Sequence, residues 1–319
     1  MFGFPTNRNI FCIRSISTIG VVVLCFLVPL ASTDRSACQQ KSISRNFETS
    51  FSKEKNKSKD NWGVEHEKIA VYSTKGRRSE MYDRFVIIDN RERQILAAAI
   101  FDGFDCSSVC DEAERILLPA IVKNIEKDQP YDTPGLQKAI WDQIVKFDEE
   151  ILKNQPAQSL CASTLVITIH YLHMVYIVHV GDCRAVHAYK GDLRETKDHK
   201  PETDAERIRD FGGSVTWVND SWRLGGVFPF SRGLGAKQMK TRGWMDRETK
   251  ASLYFLRVNS AINFILMASN GLWDVISSAD ALAYVQRHVE DAFFGAKGLV
   301  KMALKKGAQD NISVLIVKI

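Results

Sequence analysis

Three short segments carry residues whose types and spacing can do chemistry: Phe101-Asp102-Gly103, Ala268-Ser269-Asn270-Gly271 and Gln309-Asp310-Asn311. Each sets an acid or its amide at the end of an apolar run, beside a turn. Carboxylate and amide oxygens gathered at strand ends suit a hard divalent cation, which takes oxygen ligands. A glycine after Asp102 lets a backbone carbonyl approach such an ion closely. Taken singly, Asp-Gly and Asn-Gly are ordinary turn dipeptides. The order of the three along the chain gives them weight.

The runs around them must position them. VYSTKG (71–76), RFVIIDN (84–90) and the apolar QILAAAIFDG (94–103) predict strands. Residues 111–127 and 135–153 have apolar positions at helical spacing. STLVITIHYL, MVYIVHVG and RAVHAYKG follow as an antiparallel meander with tight connections. ETDAERIRDF (202–211) predicts a short helix stopped by Gly212-Gly213, and SSADALAYVQRHV (277–289) a helix capped by Ser277 or Ser278. FILMAS (264–269) and the closing ISVLIVKI (312–319) predict buried strands. Blocks of strands and helices, without strict alternation, point to antiparallel sheets with helices outside.

The chain has 319 residues, 45% hydrophobic and 25% charged, which suits a globular domain of about 250 residues with extensions. A net charge of +5 with no nucleic-acid motif argues against a nucleic-acid partner. Arg8 and Arg14 precede an apolar run, Ile19 to Ala31, and small residues follow before Asp34. This predicts a signal peptide over 1–33 and a secreted or secretory-pathway protein, with a membrane anchor or a mitochondrial presequence as alternatives. Residues 34–61 are polar and predict a flexible linker, so the folded domain should span 62–319 and begin near Trp62. Cys38, Cys106, Cys110, Cys161 and Cys183 would remain, with no CxxC pair for zinc. Cys106 and Cys110 are close enough in sequence to bridge, though sequence leaves this open. Asn56 and Asn219 head glycosylation sequons. His170, His173, His179 and His187 read as sheet-surface or packing residues, and Trp217 and Trp222 as loop residues.

From about residue 62 onward the sequence resembles the type 2C (PPM-type) Ser/Thr protein phosphatase family. The matching stretches are GRRSEMYDRF (76–85), FDGF (101–104), ASTLV (162–166), VGDCRAV (180–186), KDHKP (197–201), RIRDFGGSV (207–215), RLGGVFPFSRGLG (223–235), ASNGLWDVIS (268–277) and AQDNISVLIV (308–317). The resemblance implies an α+β fold, a four-layer α/β/β/α sandwich of two antiparallel sheets flanked by helices. It also implies two Mg²⁺ or Mn²⁺ ions and hydrolysis of phosphoserine or phosphothreonine. By that resemblance Asp102, the Gly103 carbonyl and Asp310 bind metal, and Asp83 orients the attacking water. Arg78 holds the phosphate, and Asp182 and Asp274 flank a third, weaker ion. The partner would be a phosphoprotein or another phosphate-bearing molecule, and the protein a monomer.

Several positions depart from that pattern. Tyr82 and Asn270 stand where the family has carboxylate ligands, and Phe104 replaces the histidine thought to protonate the leaving group. Asp105 and Cys106 replace glycines, and Ala236 replaces an aspartate. A phenol with a pKa of about 10 and a neutral amide are poor substitutes for carboxylates around Mg²⁺. The expectation is weak or partial metal occupancy and an impaired enzyme, a pseudophosphatase-like binding protein. The alternative is a residually active Mg²⁺/Mn²⁺-dependent hydrolase.

Overall fold

A computed structural model describes residues 60–127, 133–258 and 262–319. The expected leader, most of the linker, Cys38 and the Asn56 sequon lie outside the described residues. In chain order the strands are β1 (Asn61–His66), β2 (Ile69–Thr74), β3 (Arg84–Asn90), β4 (Ile95–Phe104), β5 (Ala162–Tyr171), β6 (Met174–Val180), β7 (Arg184–Tyr189) and β8 (Asp192–Glu195). They continue with β9 (Val215–Val218), β10 (Ser221–Leu224), β11 (Leu234–Gly235), β12 (Ser252–Arg257), β13 (Phe264–Ala268) and β14 (Ile312–Lys318).

Two large antiparallel sheets result, with β9 and β10 forming a small separate pair. One runs β1-β2-β14-β13-β7-β8 and the other β12-β6-β5-β4-β3, with β11 added against β5. Their facing side chains, among them Val71, Ile100, Val166, Ile265 and Leu315, form a buried layer between the sheets. The outer face of the second sheet packs on helices α1 (Ser108–Glu112), α2 (Leu118–Lys127) and α3 (Thr133–Asn154) through residues such as Phe101, Leu117 and Ile144. A π-turn at Ala113–Leu117 joins α1 to α2. The short helices α4 (Ala205–Asp210), α5 (Lys237–Thr241) and α6 (Asn270–Trp273) sit in the connections. Helices α7 (Ser278–His288) and α8 (Ala296–Lys305) cover the first sheet through Leu282, Val285, Leu299 and Val300. The α+β sandwich of two antiparallel sheets flanked by helices is therefore the observed architecture.

The differences from the sequence reading have physical reasons. The cysteine bridge is Cys106–Cys161, and Cys110 is a buried free thiol. Pairing of β4 with β5 sets Phe104 opposite Ala162, which brings the residues flanking that pair together. Cys110 instead points its thiol at Ser163 Oγ, 3.2 Å away. Trp217 and Trp222 form a strand hairpin, β9–β10, with their rings perpendicular and 5.4 Å apart. His179 is buried and stacks on His199 at 4.5 Å, so it is a packing residue. Burial, then His179 and Arg232 nearby, push the His199 imidazole down to about 3. Its Nδ1 accepts the Gly181 amide at 3.0 Å, which fixes the turn leading to Asp182.

Candidate functional site

The ends of β4, β13 and β14 meet at one edge of the sandwich, as the three acid-bearing segments require. Asp102 directly follows the buried run of β4, and its Oδ2 accepts the backbone N–H of Asn270 at 3.1 Å. A Cβ on Gly271 would lie 2.0 Å from the Asn311 carbonyl oxygen, so only glycine fits there. That contact seats the Asn270 turn on the segment carrying Asp310. A Cβ on Gly103 would lie 2.7 Å from Tyr82 Cβ, so this glycine lets the Tyr82 segment close over β4.

Asn311, singled out only as a neighbour of Asp310, proves to be a clamp. Its Nδ2 donates to the carbonyls of Lys75 at 2.8 Å and Glu80 at 2.9 Å, and its Oδ1 accepts the Tyr82 amide at 2.8 Å. One amide side chain thus holds the loop between β2 and β3, which bears Arg78 and Tyr82. The Arg78 guanidinium donates to Asp310 Oδ2 at 2.7 Å.

Asp83 is buried beneath the surface of the site. Its Oδ2 accepts hydrogen bonds from Ser269 Oγ at 2.8 Å and Ser313 Oγ at 2.7 Å, and Ser73 Oγ stands 2.5 Å from Ser313 Oγ. Sequence reasoning missed this serine set. Its signal was small polar residues at inward positions of otherwise apolar strands.

Electrostatics tie five aspartates together. Burial raises the Asp102 carboxyl well above the usual range, and the charges of Asp83, Asp310 and Asp182 raise it further. Asp83 rises to about 7, mainly through burial, against the lowering effect of its two serine donors. Asp274 rises to about 6, through burial and then the neighbouring Asp182. Asp182 is also raised by burial, while Lys200, whose Nζ donates to it at 2.8 Å, pulls the other way. Lys200 and Arg78 pair with Asp182 and Asp310, while among the described residues no ion pair is made by Asp83, Asp102 or Asp274. The buried Oδ1 atoms of Asp83 and Asn270 have no hydrogen-bond partner. Partnerless buried oxygens beside mutually repelling carboxylates fit an oxygen-liganded cation. Among the described residues, however, no three His, Cys, Asp or Glu side chains form a ligand group by themselves.

The other flank of Asp102 is chemically different. Phe104 packs against Phe228 at 4.4 Å and Phe230 at 5.8 Å between ring centres. The Cys106–Cys161 bridge lies just beyond. Ala236, buried nearby, adopts the left-handed conformation at φ 55°, which alanine takes at a steric cost.

The chain is similar to a known protein family and to several of its members. The family described as "Protein phosphatase 2C" matches residues 67–312. "Probable protein phosphatase 2C 45" of Oryza sativa subsp. japonica is 30% identical over 251 residues, 77% of this chain and 85% of that protein. "Probable protein phosphatase 2C 59" of Arabidopsis thaliana is 32% identical over 252 residues, covering 77% and 78%. "Protein phosphatase 1L" of Bos taurus is 28% identical over 267 residues, covering 81% and 74%. Among solved structures, a serine-threonine phosphatase 2C from Toxoplasma gondii superposes with a TM-score of 0.68 at 22% identity, over 80% of this chain and 94% of that one. At that identity the likeness shows the fold alone.

Proposed function

The chain belongs to the protein phosphatase 2C family, and from that premise we propose a catalytically impaired member, which binds phosphoserine- or phosphothreonine-bearing proteins more than it hydrolyses them. The observation that carries this reading is Phe104, whose ring is committed to the Phe228–Phe230 cluster. No proton donor stands at that position, and losing a general acid typically costs about 10²–10⁴ in rate.

Asp102, Asp310, the Gly103 carbonyl and Asn270 Oδ1 are the oxygens that would hold Mg²⁺ or Mn²⁺, with Asp182 and Asp274 beside them for a further, weaker ion. A bound ion would supply Lewis-acid stabilisation of phosphoryl oxygens and lower the pKa of water. A phenol at Tyr82 and an amide at Asn270, in place of carboxylates, leave less charge to compensate two divalent ions, which supports weak or partial occupancy. Asp83 would orient water; the two serine donors on its Oδ2 and its partnerless Oδ1 support this. Arg78 offers a guanidinium fork to phosphoryl oxygens, at present leaning on Asp310.

A second reading, residual Mn²⁺-dependent hydrolysis, draws on the five retained aspartates. A phosphopeptide assay separates the two. The impaired reading expects no Mn²⁺-dependent phosphate release at high protein concentration. Robust release that Asp102→Ala abolishes would sink it.

We also propose that the protein acts in an oxidising compartment on the secretory route. The Cys106–Cys161 bridge supports this, because such bonds persist there and rarely in the cytosol.

A further inference from the structure

Helix α8 and the loop between β2 and β3 together leave basic charge without an assigned use. Between Ala296 and Gln309 the chain has four lysines and no acid. The buried face of α8 is Ala296, Leu299, Val300 and Ala303, so Lys301 and Lys305, four residues apart, share the exposed face. Lysines in a last helical turn complement the helix dipole. That accounts for Lys305 and Lys306 but not for Lys301 or Arg77.

The loop is pinned against this end of α8. A Cβ on Gly76, which has φ +63°, would lie 2.6 Å from the Asp310 carbonyl oxygen and 3.8 Å from Leu304 Cδ2. Arg77 and Arg78 are therefore carried alongside the lysines, and both are exposed. Asp60 engages Lys75 and Asp310 engages Arg78. Among the described residues no ion pair neutralises Arg77, Lys301, Lys305 or Lys306.

We propose that the ribbon from Arg78 across Arg77 to Lys305, Lys306 and Lys301 docks an acidic stretch of polypeptide flanking a phosphorylated residue. The inference rests on the reading of Arg78 as the phosphate-holding residue. Continuity with Arg78 argues for a ligand with a phosphate at one end and negative charge along its length. Lys301 and Lys305 are about 6 Å apart along the helix, and an extended peptide advances about 3.3 Å per residue. Alternate acidic side chains on one peptide face therefore meet successive lysines.

The test is direct binding of the full chain, by fluorescence anisotropy in metal-free buffer containing a chelator. One labelled peptide has a phosphoserine followed by aspartates and glutamates, and the second has neutral residues in their place. Tighter binding of the acidic peptide, by roughly tenfold at low salt and falling as salt rises, is expected. Lys301→Gln/Lys305→Gln/Lys306→Gln should abolish that preference and leave binding of the neutral phosphopeptide unchanged, with at most a small drop in the thermal melt from the lost helix-dipole charges. A preference that is absent, or that survives the triple variant, overturns the proposal. So does stronger triple-sensitive binding to phosphatidylcholine vesicles containing phosphatidylserine, which would assign the ribbon to a lipid surface. Unphosphorylated acidic peptide separates the premises. If it binds as tightly as the phosphopeptide while the triple variant still weakens it, the Arg78 reading and the phosphate end of the proposal fail. Phosphate release in a parallel Mn²⁺ assay would count against the impaired-enzyme reading and leave this binding result intact.

Discussion

Asp102 has two flanks, and they have been treated differently. On one side Asp83, Ser269, Ser313 and Ser73 form a closed hydrogen-bonded set, and Asn311 clamps the loop above it. On the other, Phe104 joins an aromatic cluster and Cys106 is tied covalently to Cys161. The first flank is polar, buried and poised around a carboxylate. The second is apolar and braced. A strand can therefore keep Asp102 at the site while Phe104, two positions along, is committed to packing.

Five substitutions and a pH series probe that contrast, from the largest expected effect to the smallest. Cys161→Ser opens a covalent loop spanning 55 residues. A loop of that length predicts a loss of roughly 4 kcal/mol in the chain-entropy account, so urea unfolding should show about 2–4 kcal/mol. A loss well below 1 kcal/mol would mean the braced flank is not braced. Phe104→Ala should cost about 2–3 kcal/mol, below the full range for phenylalanine because the ring is only partly buried. Phe104→His should be less stable than the native chain, since an imidazole replaces a ring in the Phe228–Phe230 cluster.

The polar flank should respond to pH instead. Asp83 shifts from 3.8 to about 7 on folding, chiefly through burial. Between those values the native state keeps a proton that the unfolded chain has released, so stability falls as pH rises through the window. Melting temperature of the metal-free protein should decline from about pH 5 to pH 7.5, by at most about 1.4 kcal/mol of stability per pH unit from this group. Asp83→Asn should flatten that slope, and an unchanged slope would assign it to other groups. Ser313→Ala removes one donor to Asp83, for a loss of about 1 kcal/mol. It should also move the pH window upward, because that donor favours the charged carboxylate.

Much of this was legible in the sequence, for identifiable reasons. The strand ending in Phe101-Asp102-Gly103 announced itself because a long apolar run stops at an acid and a glycine. β8, β9, β10 and β12 did not, since β8 is exposed throughout and the other three mix exposed and half-buried positions without a continuous apolar face. α8 was passed over because its lysines mask a narrow apolar stripe. The Cys106–Cys161 bridge depends on the β4–β5 register, which no local spacing reveals. The roles of Asn311 and Ser313 depend on contacts with residues more than 200 positions away. Arg78 was read as a phosphate holder, and the structure adds that it already leans on Asp310.

The central claim is that Tyr82 and Asn270 leave a cation site short of charge, and calorimetric Mn²⁺ titration tests it most directly. The native chain should bind Mn²⁺ weakly, with a dissociation constant on the order of 1 mM or above. Tyr82→Glu/Asn270→Asp should tighten binding by at least about tenfold, or 1.4 kcal/mol. Two tight sites in the native chain, unchanged in the double variant, would contradict the account.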